Sequence, residues 1–203
     1  MQKGRNDNHP KKGASIKVQP IRSLDAIRAI KANLSNQPRN LCLFTLGINT
    51  AYRANEIVSL TVGQVAPLNA GDLLDVKQSK TKEYRSTAVN KVTVDAIQNW
   101  LTCHPLANDP NAPLFLSQRR RYQALTVEGV NHLVKHWCYN AGLQGNYGSH
   151  TLRKTWGYHQ RITNHTSVAL LMKAFGHATE AQTLEYLCIL PFEVRDLYCT
   201  LEL

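Results

Sequence analysis

The chain has 203 residues, of which 24 are lysine or arginine and 14 are aspartate or glutamate, giving a formal net charge of +10 at pH 7. This length accommodates one sizeable domain, and the positive charge indicates a polyanionic partner, with nucleic acid ahead of an acidic membrane surface. No apolar run approaches the ~20 residues of a membrane span, and the N-terminal MQKGRNDNHPKKG is not followed by the hydrophobic segment of a signal peptide, so we expect a cytoplasmic protein.

Residues 1–20 are polar and basic and contain almost no large apolar groups. They cannot bury enough apolar surface to offset the entropy of ordering, so we predict a flexible basic tail. Such a tail is either a solvated terminus or a basic arm lying along phosphates, and the sequence leaves both readings open. Residues 21–203 are predicted to form one domain.

Helical periodicity dominates the first part of this domain. Ser23 is placed to cap a helix whose apolar residues recur at three- and four-residue spacing from Leu24 to Leu34. A second helix is predicted to begin near Pro38 and to end within Gly47–Thr50. A third, short helix begins near Arg53, which places an arginine at a helix start.

The middle of the chain changes to a strand pattern. Residues 72–76 and 85–89 read as two short strands joined by the polar segment KQSKTKEY, which predicts an antiparallel hairpin with a basic tip. The expected fold class is therefore mainly α, of α+β type, with a small antiparallel sheet.

The remainder of the chain is again helical. A helix is predicted over roughly residues 92–103 and a longer one from Thr126, with the basic run Arg119–Arg121 between them. Three further helices are expected to start at hydroxyl N-caps, and a terminal helix follows Pro191. The predicted caps are Ser149, Thr166 and Thr179.

Five cysteines are spread along the chain, at Cys42, Cys103, Cys138, Cys188 and Cys199. Their odd number and the absence of a C-x-x-C pair argue against a disulfide framework and against a cysteine zinc site. His132 and His136 have the spacing of a zinc-binding pair, but no third ligand accompanies them. We therefore predict reduced thiols and no metal site.

Two short segments carry the residue types that suit chemistry on an anion. His150 and Arg153 are three residues apart, so on a helix both side chains reach the same anion. His177 follows Gly176, and Tyr186 comes nine residues later. Because a phenol with an unperturbed pKa near ~10 is a poor nucleophile at neutral pH, Tyr186 needs an adjacent base or a strongly cationic field.

Six residue types recur in the order and context that tyrosine recombinases show: Arg53 in NTAYRANEI, Lys80 in QSKTKEYR, His150 and Arg153 in SHTLRKT, His177 in FGH, and Tyr186. From about Ile21 to Leu190 the chain resembles the catalytic domain of a phage-type integrase. The resemblance implies a site-specific DNA recombinase acting in integration, excision or inversion, with residues 21–203 as its catalytic domain. It also implies that no metal or nucleotide is required, so no cofactor is expected.

The resemblance assigns a role to each matched residue. Tyr186 attacks phosphorus, and a 3′-phosphotyrosine link holds the strand until a 5′-hydroxyl attacks it. Arg53 and Arg153 clamp the non-bridging oxygens of the phosphate, which planar guanidinium groups bind in pairs. His177 donates a further hydrogen bond to this phosphate, and His150 exchanges a proton with the tyrosine as general base or acid.

The basic residues outside this set are assigned by the same resemblance. Ser79-Lys80-Thr81 matches the S-K-T of the family, which selects Lys80 as the general acid for the leaving 5′-oxygen, with Lys82 as the competing candidate. Glu56, three residues after the first arginine, is predicted to support that arginine rather than to act in catalysis. The run of Arg119, Arg120 and Arg121 is either a solvated loop or a contact to DNA phosphates.

The sequence departs from the family pattern in three places. Ala51 stands where a glycine usually precedes the first arginine, and Lys154 stands where a second histidine is common. The separate helical domain that clamps DNA in most relatives is absent, and ~20 basic residues cannot replace it because a domain needs ~50 residues to bury a core. We expect either a naturally short recombinase or a catalytic fragment.

The resemblance further implies double-stranded DNA as the partner, a homotetramer on that DNA, and accessory proteins that bend it. The terminal segment, residues 192–203, has an apolar stripe that packs either in cis or on a neighbouring protomer. Two other functions remain open at this point. One is a DNA-binding regulator that lacks strand transfer, and the other is a type IB topoisomerase-like enzyme that nicks and reseals DNA.

Overall fold

A computed structural model of the protein describes residues 17–77, 84–118, 121–189 and 191–200. Within these ranges the chain is mainly helical with one two-stranded antiparallel sheet, which confirms the predicted fold class. The elements are α1 Leu24–Asn33, α2 Pro38–Asn49, α3 Ala54–Val58, α4 Val62–Val65, β1 Leu73–Lys77, β2 Tyr84–Ala88, α5 Lys91–Leu101, α6 Val127–Asn140, α7 Thr151–Ile162, α8 Val168–Phe175, α9 Glu180–Leu187 and α10 Pro191–Thr200.

The helix starts follow the predicted chemistry with two corrections. The Ser23 and Thr179 side chains each accept a backbone N–H three residues on, as helix N-caps do. The cap of α7, however, is His150 rather than Ser149, and the cap of α8 is Ser167 rather than Thr166. In these two helices the observed cap is the residue directly after the predicted one.

Helix α2 forms the centre of the main core. Cys42, Leu43, Phe44 and Leu46 are fully buried, and α2 packs on α5 and α7. Gly47 allows the close approach to α7, because a Cβ there would lie 2.5 Å from the Leu152 Cδ1. This contact places the C-terminal end of α2 beside the N-terminal end of α7.

A second, smaller cluster attaches α8 and α9 to α7. It consists of Ala51, Leu171, Phe175 and Leu187, all buried, with Tyr186 packed at its margin. Helix α7 accepts this cluster at Gly157, where a Cβ would lie 2.3 Å from the Phe175 Cζ. The loops that end α2 and α8 thus meet at one end of α7.

The hairpin packs on the α2–α3 loop, since the Tyr52 hydroxyl donates to the Leu74 carbonyl at 2.5 Å. Its register pairs Leu73 with Ala88 and Lys77 with Tyr84, one residue from the predicted strand bounds. Val76 and Arg85 are direct cross-strand partners, so both side chains are on the face that packs against the core. The hairpin tip, residues 78–83, lies outside the described residues.

The segment Lys17–Arg22, which we call the strap, runs across the N-terminal turn of α7. The Gln19 N–H donates to the Asn146 carbonyl at 2.9 Å, the Thr151 hydroxyl donates to the Gln19 carbonyl at 2.9 Å, and the Ile21 N–H donates to the Thr155 Oγ1 at 2.8 Å. The last four residues of the predicted tail belong to this strap. Residues 1–16 lie outside the described part of the chain.

At the other end of the chain, α10 contacts α7 in cis, since the Tyr158 hydroxyl donates to the Glu193 Oε1 at 2.7 Å. Across the residues that the structure describes, none of the helices is long and apolar enough to cross a membrane.

Ala51 is held in the left-handed backbone region, at φ 55°, and is almost fully buried. We expect Ala51→Gly to change the free energy of unfolding by less than ~1 kcal/mol, because relief of the left-handed strain offsets the lost methyl contact and the added freedom of the unfolded chain. Ala51→Val should destabilise by ~2 kcal/mol or more, since a β-branched residue is not tolerated at this φ. Chemical denaturation measures both, with exposed helical Ala32→Gly as the control, expected to cost ~1 kcal/mol. A larger cost for Ala51→Gly than for Ala32→Gly would contradict the strain at Ala51.

Candidate active site

The hydroxyl of Tyr186 faces the N-terminal end of α7, where the loops that follow α2 and α8 come together. Its Oη lies 3.3 Å from the His150 Nδ1. Its half-buried ring makes edge contacts with Phe175 and with His177, each with ring centroids 5.1 Å apart. The guanidinium carbon of Arg153 lies 5.8 Å from the centroid of the same ring. The tyrosine is therefore surrounded by imidazole, aromatic and cationic groups.

Arg153 is only 2% exposed and connects the two loops that form the site. One Nη donates to the Ala51 carbonyl before α3, and the other donates to the Phe175 carbonyl at the end of α8 at 2.5 Å. The guanidinium carbon also lies 4.8 Å from the Phe175 ring centroid. Burial lowers the pKa of Arg153 to about 10, against the opposing effect of Tyr186, so the side chain remains charged at neutral pH.

Glu56 organises the two other arginines of the site. Its side chain, 1% exposed, accepts from the Arg53 backbone N–H at 2.6 Å and from the Arg53 Nη1 at 2.9 Å, so it is placed to support that arginine. It also lies 3.5 Å from the Arg85 Nη1. Arg53 itself is 34% exposed, so its guanidinium borders the open side of the site.

Arg85 is the residue that sequence reasoning missed. Its Nη2 donates to the Ala51 carbonyl at 2.9 Å, the same carbonyl that Arg153 binds. Burial lowers the pKa of Arg85, with Glu56 acting in the opposite direction. The signal that could have identified it is strand alternation, because Arg85 occupies an inward position on β2 where an apolar residue is expected.

Both histidines of the site are held in the neutral form. Burial, and then the charges of Arg153, Arg53 and Arg85, lower the pKa of His177 to about 4. The pKa of His150 is also lowered, by burial first and then by Arg153, Lys154 and Arg53. His177 stacks on Phe175, with ring centroids 4.9 Å apart, and its Nδ1 lies 3.1 Å from the Thr183 Oγ1.

The phenol of Tyr186 is not ionised in this state. Burial raises its pKa, while the charges of Arg153 and Arg53 lower it and offset part of this effect. A neutral imidazole beside a neutral phenol is the arrangement that general-base activation requires. The site therefore combines a cationic pocket that suits an anion with a phenol and an imidazole within reach of each other.

The structure brings together five of the predicted site residues: Arg53, His150, Arg153, His177 and Tyr186. Predicted Lys80, Lys82, Arg119 and Arg120 lie outside the described residues. Arg121 lies elsewhere, beside Tyr122 in a cavity near the start of α2, whereas Arg53 follows the end of that helix. Among the residues described, no group of three His, Cys, Asp or Glu side chains is arranged to hold a metal ion.

The end of α9, which carries Tyr186, is held by the strap. The Arg22 Nη2 donates to the Cys188 carbonyl at 2.8 Å, and the Lys17 ammonium forms an ion pair with Glu185 at 2.8 Å. Cys188 itself ends α9 at φ 54°, in the left-handed region. The strap therefore contacts both α7 and the helix that presents the tyrosine.

Comparisons with known proteins identify the family of this chain. The sequence profile of the phage integrase family matches residues 22–190. The probable integrase/recombinase YoeC of Bacillus subtilis (strain 168) is 33% identical over 171 residues, which are 78% of this chain and 90% of that protein. The fold and the site define a tyrosine recombinase catalytic domain.

The chain belongs to the phage integrase family. Its fold is similar to the crystal structure of XerA recombinase, with a TM-score of 0.73 and 20% identity, covering 93% of this chain and 66% of that one. It is also similar to the post-cleavage complex of XerH site-specific recombinase bound to palindromic difH substrate, with a TM-score of 0.72 and 20% identity, covering 93% and 54%. The chain thus spans about half to two thirds of the length of these solved chains.

The lowered pKa of His177 makes stability depend on pH. Between about 4, its pKa in the folded chain, and about 6.5, its ordinary value, the unfolded chain binds more protons at this residue than the folded chain does. The free energy of unfolding should therefore fall as pH decreases through this window. We expect His177→Gln to make this dependence shallower in chemical denaturation series, while His132→Gln, an exposed control on α6, leaves it unchanged. Equal slopes for wild type and His177→Gln would contradict the burial of this imidazole.

Proposed function

We propose that this chain is a site-specific DNA recombinase that cleaves and rejoins DNA strands through a 3′-phosphotyrosine intermediate, with Tyr186 as the nucleophile. The observation that carries the proposal is the 3.3 Å approach of the Tyr186 hydroxyl to the neutral His150 imidazole, beside the buried Arg153 guanidinium. This arrangement supplies a nucleophile, a base and a cationic pocket at one point.

The first step transfers a strand to the enzyme. The Tyr186 oxygen attacks the phosphorus and its proton passes to the His150 Nδ1, while the bond from phosphorus to the 5′-oxygen breaks. A proton must reach that leaving oxygen, and the family resemblance assigns it to Lys80 of the hairpin. In the second step a 5′-hydroxyl attacks the phosphotyrosine and gives its proton to the group that acted as general acid. The bond from phosphorus to the Tyr186 oxygen breaks, and the phenol takes back its proton from the His150 Nδ1. Because one phosphodiester is exchanged for another linkage of the same kind, the strand can be rejoined without an external energy source.

The two arginines act on the non-bridging oxygens of this phosphate. A guanidinium has five N–H donors, and two of those on Arg153 bind the Ala51 and Phe175 carbonyls, so three remain that could donate to the phosphate. Glu56 fixes Arg53 while leaving its guanidinium at the open side. Donors that are already in place stabilise charge that develops in the transition state without a cost of reorganisation.

His177 adds a neutral donor. Its pKa of about 4 keeps the imidazole uncharged. In the tautomer with hydrogen on Nε2, the Thr183 hydroxyl donates to Nδ1 and Nε2 donates to the phosphate. Its ring is held for this role by stacking on Phe175.

The proposed substrate is double-stranded DNA, on which the protein would act as a homotetramer, together with accessory proteins that bend the DNA. The net charge of +10 and membership of the phage integrase family support the DNA partner. Solved proteins of this fold include a XerH recombinase and a Tn1549 transposon integrase that are in complex with DNA. A DNA substrate also supports action in the cytoplasm.

Covalent trapping tests the proposal. A set of nicked duplexes that covers the DNA on both sides of the gene, with any inverted repeats found there, should include one that gives an adduct that resists detergent and joins the protein to a DNA 3′ end. We expect Tyr186→Phe to abolish the adduct, because phenylalanine has no oxygen nucleophile, and Tyr139→Phe, an exposed control on α6, to retain it.

An adduct with Tyr186→Phe would refute the assignment of the nucleophile. Specific binding of wild type without any adduct would identify a DNA-binding regulator instead, and relaxation of a supercoiled plasmid that lacks the repeats would identify a topoisomerase-like enzyme.

The role of His150 as base predicts the pH dependence of the same reaction. Its pKa is lowered from 6.5, so the imidazole is neutral at pH 7 and becomes protonated only in more acidic solution. The single-turnover cleavage rate should therefore fall with decreasing pH only below about 6.5. We expect His150→Gln to lower the rate at pH 7 by about 10²- to 10⁴-fold and to remove this acidic limb. An unchanged limb in His150→Gln would assign the base to another group.

A further inference from the structure

Helix α7 places a second cation next to Tyr186, and none of the steps proposed above uses it. We propose that Lys154 is a positioning residue that holds the ring of Tyr186 and the end of α9 in the place from which the hydroxyl reacts. This inference rests on the proposed function, since it concerns how the nucleophile is presented.

The contacts of Lys154 are unusual for a lysine. The residue is only 8% exposed, and its Nζ lies 4.8 Å from the centroid of the Tyr186 ring and 3.1 Å from the Cys188 Sγ. In the part of the chain that the structure describes, no carboxylate lies within ion-pair distance of it. The charge of Lys154 does act on Glu185, but the carboxylate of Glu185 is in an ion pair with Lys17.

This arrangement is costly for stability. An ammonium that is removed from water without a carboxylate partner loses hydration that a thiol and an aromatic ring replace only in part. Lys154 also lies near the N-terminal end of α7, where the helix dipole disfavours a positive charge. An apolar side chain of the same length would be the better choice if packing were the only requirement.

The contacts of Lys154 indicate what its burial achieves for the site. Lys154 contacts the nucleophile through the face of its ring, and it contacts Cys188, the residue that ends the nucleophile's helix in the left-handed conformation. It is carried by the same helix as Arg153 and directly follows it. One rigid element therefore sets the distance between the phosphate-binding group and the tyrosine.

Positioning can be separated from an effect on acidity. The groups that shift the pKa of Tyr186 are, after burial, Arg153 and Arg53, with a smaller opposing effect of Cys188. Lys154 does help to lower the pKa of His150, so loss of its charge should move the acidic limb of the pH profile toward higher pH. On the plateau above this limb His150 is neutral in both proteins, so a slower rate there reports the position of the tyrosine. A misplacement of ~1 Å is sufficient to slow a reaction by about 100-fold.

The test is the substitution Lys154→Met, which keeps the length of the side chain and removes its charge. On the nicked duplexes, we expect single-turnover adduct formation to be about 10- to 100-fold slower. DNA affinity should be that of wild type, the acidic limb of the pH profile should move toward higher pH, and the rate should stay reduced on the plateau above that limb. The melting temperature should be equal or higher because a buried charge has been removed. Lys154→Arg, which restores a cation over the ring, should recover most of the rate. Lys135→Met, at an exposed position on α6, removes the same charge and should cleave like wild type.

A second measurement needs no DNA. Amide hydrogen exchange of residues 184–188 should be faster in Lys154→Met than in wild type, although the protein as a whole is no less stable. Faster exchange here with no adduct from wild type would support the positioning role and refute the proposed function. The positioning role is overturned if Lys154→Met cleaves within about twofold of wild type with unchanged exchange, or if the rate falls only with a lower melting temperature. It is also overturned if the plateau rate of Lys154→Met equals that of wild type, or if Lys154→Arg does not recover the rate.

Discussion

The buried guanidinium of Arg153 is the interaction on which the rest of this site depends. It is fully enclosed, yet it binds the Ala51 and Phe175 carbonyls, which belong to segments far apart in the sequence. Burial of a charge is unfavourable unless its donors are satisfied, and here two main-chain acceptors satisfy them in part. Removal of this side chain would leave both carbonyls without that donor. The end of α2, the end of α8 and the start of α7 are therefore joined at one residue, and Tyr186 packs against this junction.

The cluster of arginines, together with burial, also determines the protonation states of the two histidines and of Tyr186. Burial, followed by the charges of Arg153, Arg53 and Arg85, lowers the pKa of His177 to about 4. Burial and then Arg153 also lower the pKa of His150. The phenol remains protonated because its burial outweighs the cationic field. A phosphate that enters would neutralise part of this charge and bring the reacting bond to the tyrosine. The free site is thus organised for an anion, and in the proposed reaction the phenol becomes a nucleophile only when its proton moves to the imidazole.

The sequence was sufficient for much of this description because most of it is local. Hydrophobic periodicity and capping residues predicted α1, α2, α6 and α9, and the matched motif predicted the five residues that meet in the site. The incorrect caps, Ser149 and Thr166, each lie next to the observed one, a choice that local chemistry does not resolve. Arg85, the strap and the contacts of Lys154 were missed because they join residues that are tens of positions or more apart, and periodicity contains no information on such pairs. For the positive φ of Ala51 the only indication in the sequence was that the family usually has a glycine at this position.

The central claim is that Arg153 assembles the site by joining these two loops around Tyr186. A crystal structure of the Arg153→Met variant tests this directly, because methionine fills part of the volume and cannot donate to either carbonyl. The account predicts that the Ala51 and Phe175 carbonyls move apart or turn toward other donors and that the contact between the Tyr186 hydroxyl and the His150 Nδ1, 3.3 Å in the native chain, is lost. A variant that keeps both carbonyls and this contact in place would contradict it.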